Sequence, residues 1–120
     1  MYLKSTIDKI VKYAVHVTEP EKIILFGSMI NGTANVNSDV DLLIISESCI
    51  NNKEAMSRIK NYANQHSLKT DVLIYSCSEF ERELNTSNSF ISAVHKSGKI
   101  VHKKSLEIIV ILLHLWLGVT

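Results

Sequence analysis

Gly27-Ser28-Met29-Ile30-Asn31-Gly32-Thr33-Ala34-Asn35-Val36-Asn37-Ser38-Asp39-Val40-Asp41 is a Gly-Ser pair, ten intervening residues and an Asp-x-Asp pair, set between the apolar runs Ile23-Ile24-Leu25-Phe26 and Leu42-Leu43-Ile44-Ile45. The runs predict buried strands. Side chains two apart on a strand project from one face, so Asp39 and Asp41 would hold two carboxylates side by side at the start of the second strand. Adjacent charges repel unless a cation lies between them. Hard divalent ions such as Mg2+ take oxygen ligands and sit on one or two carboxylates while nucleotide phosphates complete the shell. Gly27 lets the backbone turn and approach a ligand closely. Ser28 is expected to open a short helix, whose free amides and positive dipole end favour a phosphate, with its own hydroxyl as a further donor. The same residues have an alternative reading, a turn built from Asn37, Ser38 and Asp39 with Asp41 a solvated edge residue. The continuously apolar strand after Asp41 argues for the cation.

A third acid stands downstream in Lys69-Thr70-Asp71-Val72-Leu73-Ile74-Tyr75, where Asp71 opens another apolar strand. Alone, that would be an ordinary strand start. Together, Gly27-Ser28, Asp39, Asp41 and Asp71 resemble the DNA polymerase β-type nucleotidyltransferase superfamily, and within it the minimal nucleotidyltransferases, the MNT-type antitoxins paired with HEPN toxins. The resemblance runs from about Ile10 to Lys103. It implies that Asp39, Asp41 and Asp71 are the catalytic and metal-binding residues for two Mg2+ ions, with Asp71 on the acceptor side, where it would take the hydroxyl proton. It also implies that Gly27 and Ser28 hold the β- and γ-phosphates of an ATP donor. The implied reaction is an in-line displacement that leaves a nucleotidylated acceptor and pyrophosphate. Positioning and preorganised charge carry such transfers, so loss of any of the three carboxylates should cost far more activity than affinity. The chain departs from the family at one place: members often read Gly-Ser-x-Ala-Arg-Gly where it reads Gly27-Ser28-Met29-Ile30-Asn31-Gly32. Asn31 removes a cation from a possible triphosphate contact, which points to slow catalysis.

The chain's 120 residues, 46% hydrophobic and 21% charged, can enclose one core with little surface for further modules. A formal net charge of +1 gives no basic footprint for nucleic acid and argues against a polymerase role. The densest basic stretch, from His95 to Lys104, is read as a solvated surface, with a nucleotide or acidic partner as the alternative. Cys49 and Cys77 fit neither a disulfide scaffold nor a metal pattern and are read as small buried fillers. The histidines have no ligand spacing, though His66 and His102 stay open as partner contacts. Met1 to Asp8 lacks a signal-peptide pattern, so a cytoplasmic location is expected.

Relatives that modify aminoglycosides or extend tRNA carry additional domains for those substrates. For a chain holding only the core, a protein partner would supply the missing surface. The minimal branch implies transfer of AMP to a tyrosine hydroxyl of a HEPN toxin, which neutralises its RNase activity. Two alternatives stay open: a non-catalytic antitoxin acting by occlusion, and a small-molecule, antibiotic-type nucleotidyltransferase working as a homodimer.

Elsewhere the periodicity predicts a first helix with Leu3, Ile7, Ile10, Val11, Ala14 and Val15 on one stripe, ending before Pro20. A second is expected over Asn52 to His66, with Ala55, Ile59, Tyr62 and Ala63 inward and Glu54-Arg58 as an outer pair. Ser78 with Glu81 suggests a capping box for a short helix, a further helix runs from about Ser87 to Gly98, and Lys99 to His102 reads as a last strand. The order implies an α/β domain, a mixed β-sheet flanked by α-helices, over residues 1–104. Residues 105–120 form an apolar C-terminal extension with Ile108 to Leu113 and Leu115 to Leu117. A membrane span needs ~20 apolar residues, and His114 interrupts this shorter run, so no membrane helix is expected. Docking onto the domain or formation of a homo-oligomer is the expectation, with a non-native terminus as the other reading.

Overall fold

In the computed structural model of the chain, residues 2–27, 40–47, 51–104 and 113–118 are described. The described elements are α1 (Tyr2–Thr18), β1 (Lys22–Phe26), β2 (Val40–Ile45), α2 (Asn52–Gln65), β3 (Thr70–Tyr75), α3 (Cys77–Leu84), α4 (Phe90–Ser97) and β4 (Lys99–Lys103). The strands form one mixed sheet in the order β3-β2-β1-β4, with β1 antiparallel to β2 and β4, and β2 parallel to β3. Parallel neighbours cannot be joined by a hairpin, and α2 is the crossover that connects them. The expected α/β architecture is therefore what the chain adopts.

Apart from Asp41 at its mouth, β2 is apolar because both its faces are covered. Its Val40, Leu42 and Ile44 join Ile23 and Leu25 of β1 and Val72 of β3 under Ile10, Val11 and Ala14 of α1 and Ile59 and Ala63 of α2. Its Leu43 and Ile45 join Ile24 on the opposite face, beneath Phe80 of α3 and Ile91 and Val94 of α4. Each such side chain contributes ~1.5–3 kcal/mol by leaving water, and this two-sided burial makes β2 the rigid centre of the fold.

The helix stops are local chemistry. Thr18 donates its hydroxyl to the carbonyl of Ala14 at 2.8 Å, Glu19 turns to φ 45°, and Pro20 follows. Ser46, just past β2, donates to the carbonyl of Thr18 at 2.5 Å and ties the end of α1 to the sheet. In α2, Asn51 caps the helix by accepting from the Glu54 amide at 3.0 Å, and Ala55, Ile59 and Ala63 point inward while Tyr62 is half-buried. Glu54 and Arg58 both face solvent.

Two helix starts differ from the sequence expectation. The capping box lies at Ser76 and Glu79, two residues before the expected Ser78-Glu81 pair, because β3 ends at Tyr75 and Ser76 takes the extended backbone (φ −73°, ψ 163°) that an N-cap requires. α4 starts at Phe90 with Ser89 as its N-cap, later than Ser87, because Asn88 sits at φ 60° and interrupts helical geometry. Gly98 caps the other end, as expected. Cys77 is half-buried at the start of α3, packed against the edge of the core and not, as expected, fully inside it; Cys49 and the side chain of Leu3 lie outside the described residues. Among the described residues no helix is long and apolar enough to cross a membrane. Of the C-terminal extension, residues 113–117 are helical, with Leu115 and Trp116 among the most exposed apolar side chains.

Candidate active site

Asp41 and Asp71 are each the second residue of their strands, and the parallel register sets them directly opposite each other. Adjacent strands run ~4.8 Å apart, so the two side chains leave the same face as neighbours. That face is the one lined by Leu43, Ile45 and Tyr75, which α3 and α4 cover toward the far ends of the strands. Asp71 is exposed at the near end and Asp41 is half-buried.

On its other side Asp41 pairs with Phe26, the last residue of β1, and Gly27 follows at φ 90°. This is left-handed backbone that favours glycine. A Cβ at Gly27 would collide with Oδ2 of Asp41 and come within 3.1 Å of its Cγ. The missing side chain thus makes room for the carboxylate. From one strand to the next, the ends read Gly27, Asp41 and Asp71. Phe26 continues into an edge-to-face contact with Phe90 at 5.6 Å, and Phe90 stays half-exposed beside it.

Of the residues expected at the site, the structure brings together Gly27, Asp41 and Asp71. Ser28, Asn31 and Asp39 lie outside the described residues. Among the described residues no group of three or more His, Cys, Asp or Glu side chains is placed to hold a metal. Two carboxylates beside each other are nevertheless a fitting donor set for Mg2+, which takes one or two protein oxygens and fills its shell with phosphate and water. Sequence reasoning missed Lys60, whose Nζ stands 4.0 Å from Oδ1 of Asp71. Its solvent-side position on α2 gave no signal; only the crossover of α2 brings it to the edge of β3. At the opposite end of β3, burial, followed by the charge and hydrogen bond of Glu83, pushes the Tyr75 hydroxyl pKa up.

The polymerase beta nucleotidyltransferase family model matches residues 8–107. Among solved structures, a chain of a toxin–antitoxin crystallised with AMP-PNP superposes with a TM-score of 0.57 at 19% identity, covering 92% of this chain and 90% of that one. A chain of a mutant of the toxin–antitoxin MntA–HpeT gives a TM-score of 0.56 at 18% identity, covering 92% and 88%. No curated protein matches. The likeness to the solved chains concerns the fold, whereas the family match spans most of the sequence and includes Gly27, Asp41 and Asp71. The chain belongs to the polymerase beta nucleotidyltransferase family and is a nucleotidyltransferase.

Proposed function

We propose that this chain is a minimal, MNT-type nucleotidyltransferase that transfers AMP from ATP to a tyrosine hydroxyl of a HEPN-type toxin, acting as the antitoxin of a cytoplasmic pair. The observation that carries the reading is the register of Asp41 against Asp71 beside the side-chain-free Gly27. The fold likeness to toxin–antitoxin chains, one of them crystallised with AMP-PNP, supports the partner class and the nucleotide.

In this reading Asp39, Asp41 and Asp71 would hold two Mg2+ ions, which neutralise the triphosphate and ease ionisation of the acceptor hydroxyl. Gly27 lets the backbone approach the β- and γ-phosphates, and Ser28 donates to them. Asp71, outermost of the three ends described, accepts the hydroxyl proton as the new oxygen–phosphorus bond forms and pyrophosphate leaves. Residues 1–104 are the catalytic domain and the 105–120 extension is a docking segment.

The test is incubation with labelled ATP, Mg2+ and a co-encoded HEPN protein. Label on the partner that disappears with Asp41→Asn is the expected result. A tight, unlabelled complex would favour the occlusion alternative, for which the exposed Leu113, Leu115, Trp116 and Leu117 are the specific support. Modification of an antibiotic with no partner present would favour the small-molecule alternative.

A further inference from the structure

Among the described strands β3 lies at the edge of the sheet, and along its start lies an open cleft of about 320 Å3 lined by Lys60 and Asn64 of α2 together with Lys69, Thr70 and Asp71. The lining is rich in hydrogen-bond donors: two ammonium groups, a carboxamide and a hydroxyl, against one carboxylate. Lys60 and Lys69 are both exposed, and among the described residues Lys60 is held only by its long contact with Asp71. Thr70 is different. It is only 5% exposed, and its Oγ1 is buried with no hydrogen-bond partner among the described residues. Buried hydroxyls are nearly always paired, so this one is an unmatched donor beside the cleft. The chemistry that satisfies two ammoniums and a hydroxyl at once is an oxyanion.

Two sources could supply that oxyanion, the donor's phosphates or the acceptor molecule, and the topology separates them. Gly27 ends β1, Asp41 lies on β2 and Asp71 on β3, with the cleft at the β3 edge. At ~4.8 Å per strand, the cleft lies ~10 Å from the β1 end where the donor phosphates would be held. It adjoins Asp71, the acid on the acceptor side.

We infer that the cleft formed by Lys60, Asn64, Lys69 and Thr70 is an acceptor-side anion subsite, which takes the carboxylate of an acidic residue flanking the acceptor hydroxyl in a partner polypeptide; this rests on the nucleotidyl-transfer reading above. With Asp71 committed to the reaction, Lys60 loses its carboxylate neighbour and both lysines face the incoming acid. The subsite selects the acceptor and holds its hydroxyl near Asp71. Lys60, Lys69 and Thr70 are specificity residues, separate from the groups that carry the transfer.

The experiment measures binding of short tyrosine peptides, identical except for Glu, Gln or Lys beside the tyrosine, to the full chain with Mg2+ and a non-hydrolysable ATP analogue. ATP-analogue affinity is measured in parallel, and label transfer to each peptide with ATP. The Glu peptide should bind about tenfold more tightly than the Gln peptide, the size of one charge-assisted contact. The preference should vanish in the Lys60→Met/Lys69→Met double variant, survive in Lys60→Arg/Lys69→Arg and shrink severalfold in Thr70→Val, with melting temperatures confirming that each variant is folded. Glu and Gln peptides that bind equally, or not at all, would overturn the subsite; transfer to a HEPN protein, if intact, would leave the wider reading standing. Loss of ATP-analogue affinity in the methionine variant would overturn it too, by assigning the anion to the donor. A charge preference without transfer to any peptide would support the subsite while counting against nucleotidyl transfer.

Discussion

The carboxylate of Asp41 occupies the space that a side chain on Gly27 would fill. Two constraints therefore meet at one residue: the left-handed φ of 90° and the collision. Gly27→Ala should destabilise the chain by ~1–3 kcal/mol through backbone strain and displace the Asp41 carboxylate. Asp41→Ala placed on top of it removes the collision but leaves the strain, so the double variant should be more stable than the sum of the single changes by ~1 kcal/mol. Urea denaturation of the four proteins measures this coupling. Strict additivity would mean that the carboxylate does not lie over Gly27.

Asp71 makes the opposite case, since it is exposed and its ion pair with Lys60 is long, at 4.0 Å. Surface pairs of this kind contribute ~0–1 kcal/mol. Asp71→Asn should accordingly change the unfolding free energy by less than ~1 kcal/mol. If the proposed function holds, the same change should lower transfer by ~100-fold or more, because it removes a charge that acts in the transition state. Chelation of divalent cations with EDTA should abolish transfer in the wild type, with activity restored by added Mg2+. The readouts are label transfer and Mn2+ binding followed by EPR, the second independent of turnover.

That contrast shows what the residues disclose before folding. The apolar runs of β1 and β2 were legible because burial on both faces demands unbroken hydrophobicity, and Asp41 and Asp71 were legible because each is a charge at the mouth of an apolar strand. The register that sets one against the other was not. It depends on the parallel pairing of β2 with β3 across α2, a long-range choice with no local signal. Lys60 was invisible for the same reason. The capping box was misplaced because Ser76-x-x-Glu79 and Ser78-x-x-Glu81 carry the same pattern, and only the end of β3 at Tyr75 decides between them.

At that box, the Ser76 backbone amide donates to the Glu79 carboxylate at 2.9 Å and the Glu79 amide donates to the Ser76 hydroxyl at 3.1 Å. The backbone hydrogen bond first, and then that of the Ser76 side chain, hold the Glu79 carboxyl below the usual glutamate range. A depressed folded pKa means stability that is fully present above the ordinary glutamate pKa and is lost as pH falls through the lowered value. Glu79→Gln should therefore flatten the acid limb of stability against pH, with a smaller difference from wild type at low pH than at pH 7. Ser76→Ala removes the cap itself and should cost ~1 kcal/mol near neutrality. Urea midpoints collected between pH 3 and pH 7 test both.

Cys77 begins the same helix, and its backbone amide donates to Oε1 of Glu47 at 2.5 Å. Burial first, then the thiol's own hydrogen bond to the Glu47 carboxylate and the charge of Glu47, push its thiol pKa up. The raised value favours the neutral thiol in the folded chain, so this contribution is present below the unfolded thiol pKa and lost as pH rises through the folded one. Because the thiolate is the nucleophile, Cys77 should alkylate more slowly folded than in urea throughout the mildly alkaline range. Glu47→Gln should restore part of the rate, since it removes the charge and leaves the burial. Iodoacetamide kinetics against pH in a Cys49→Ser background isolate this thiol. A folded rate equal to the unfolded rate would mean that neither burial nor Glu47 acts on it.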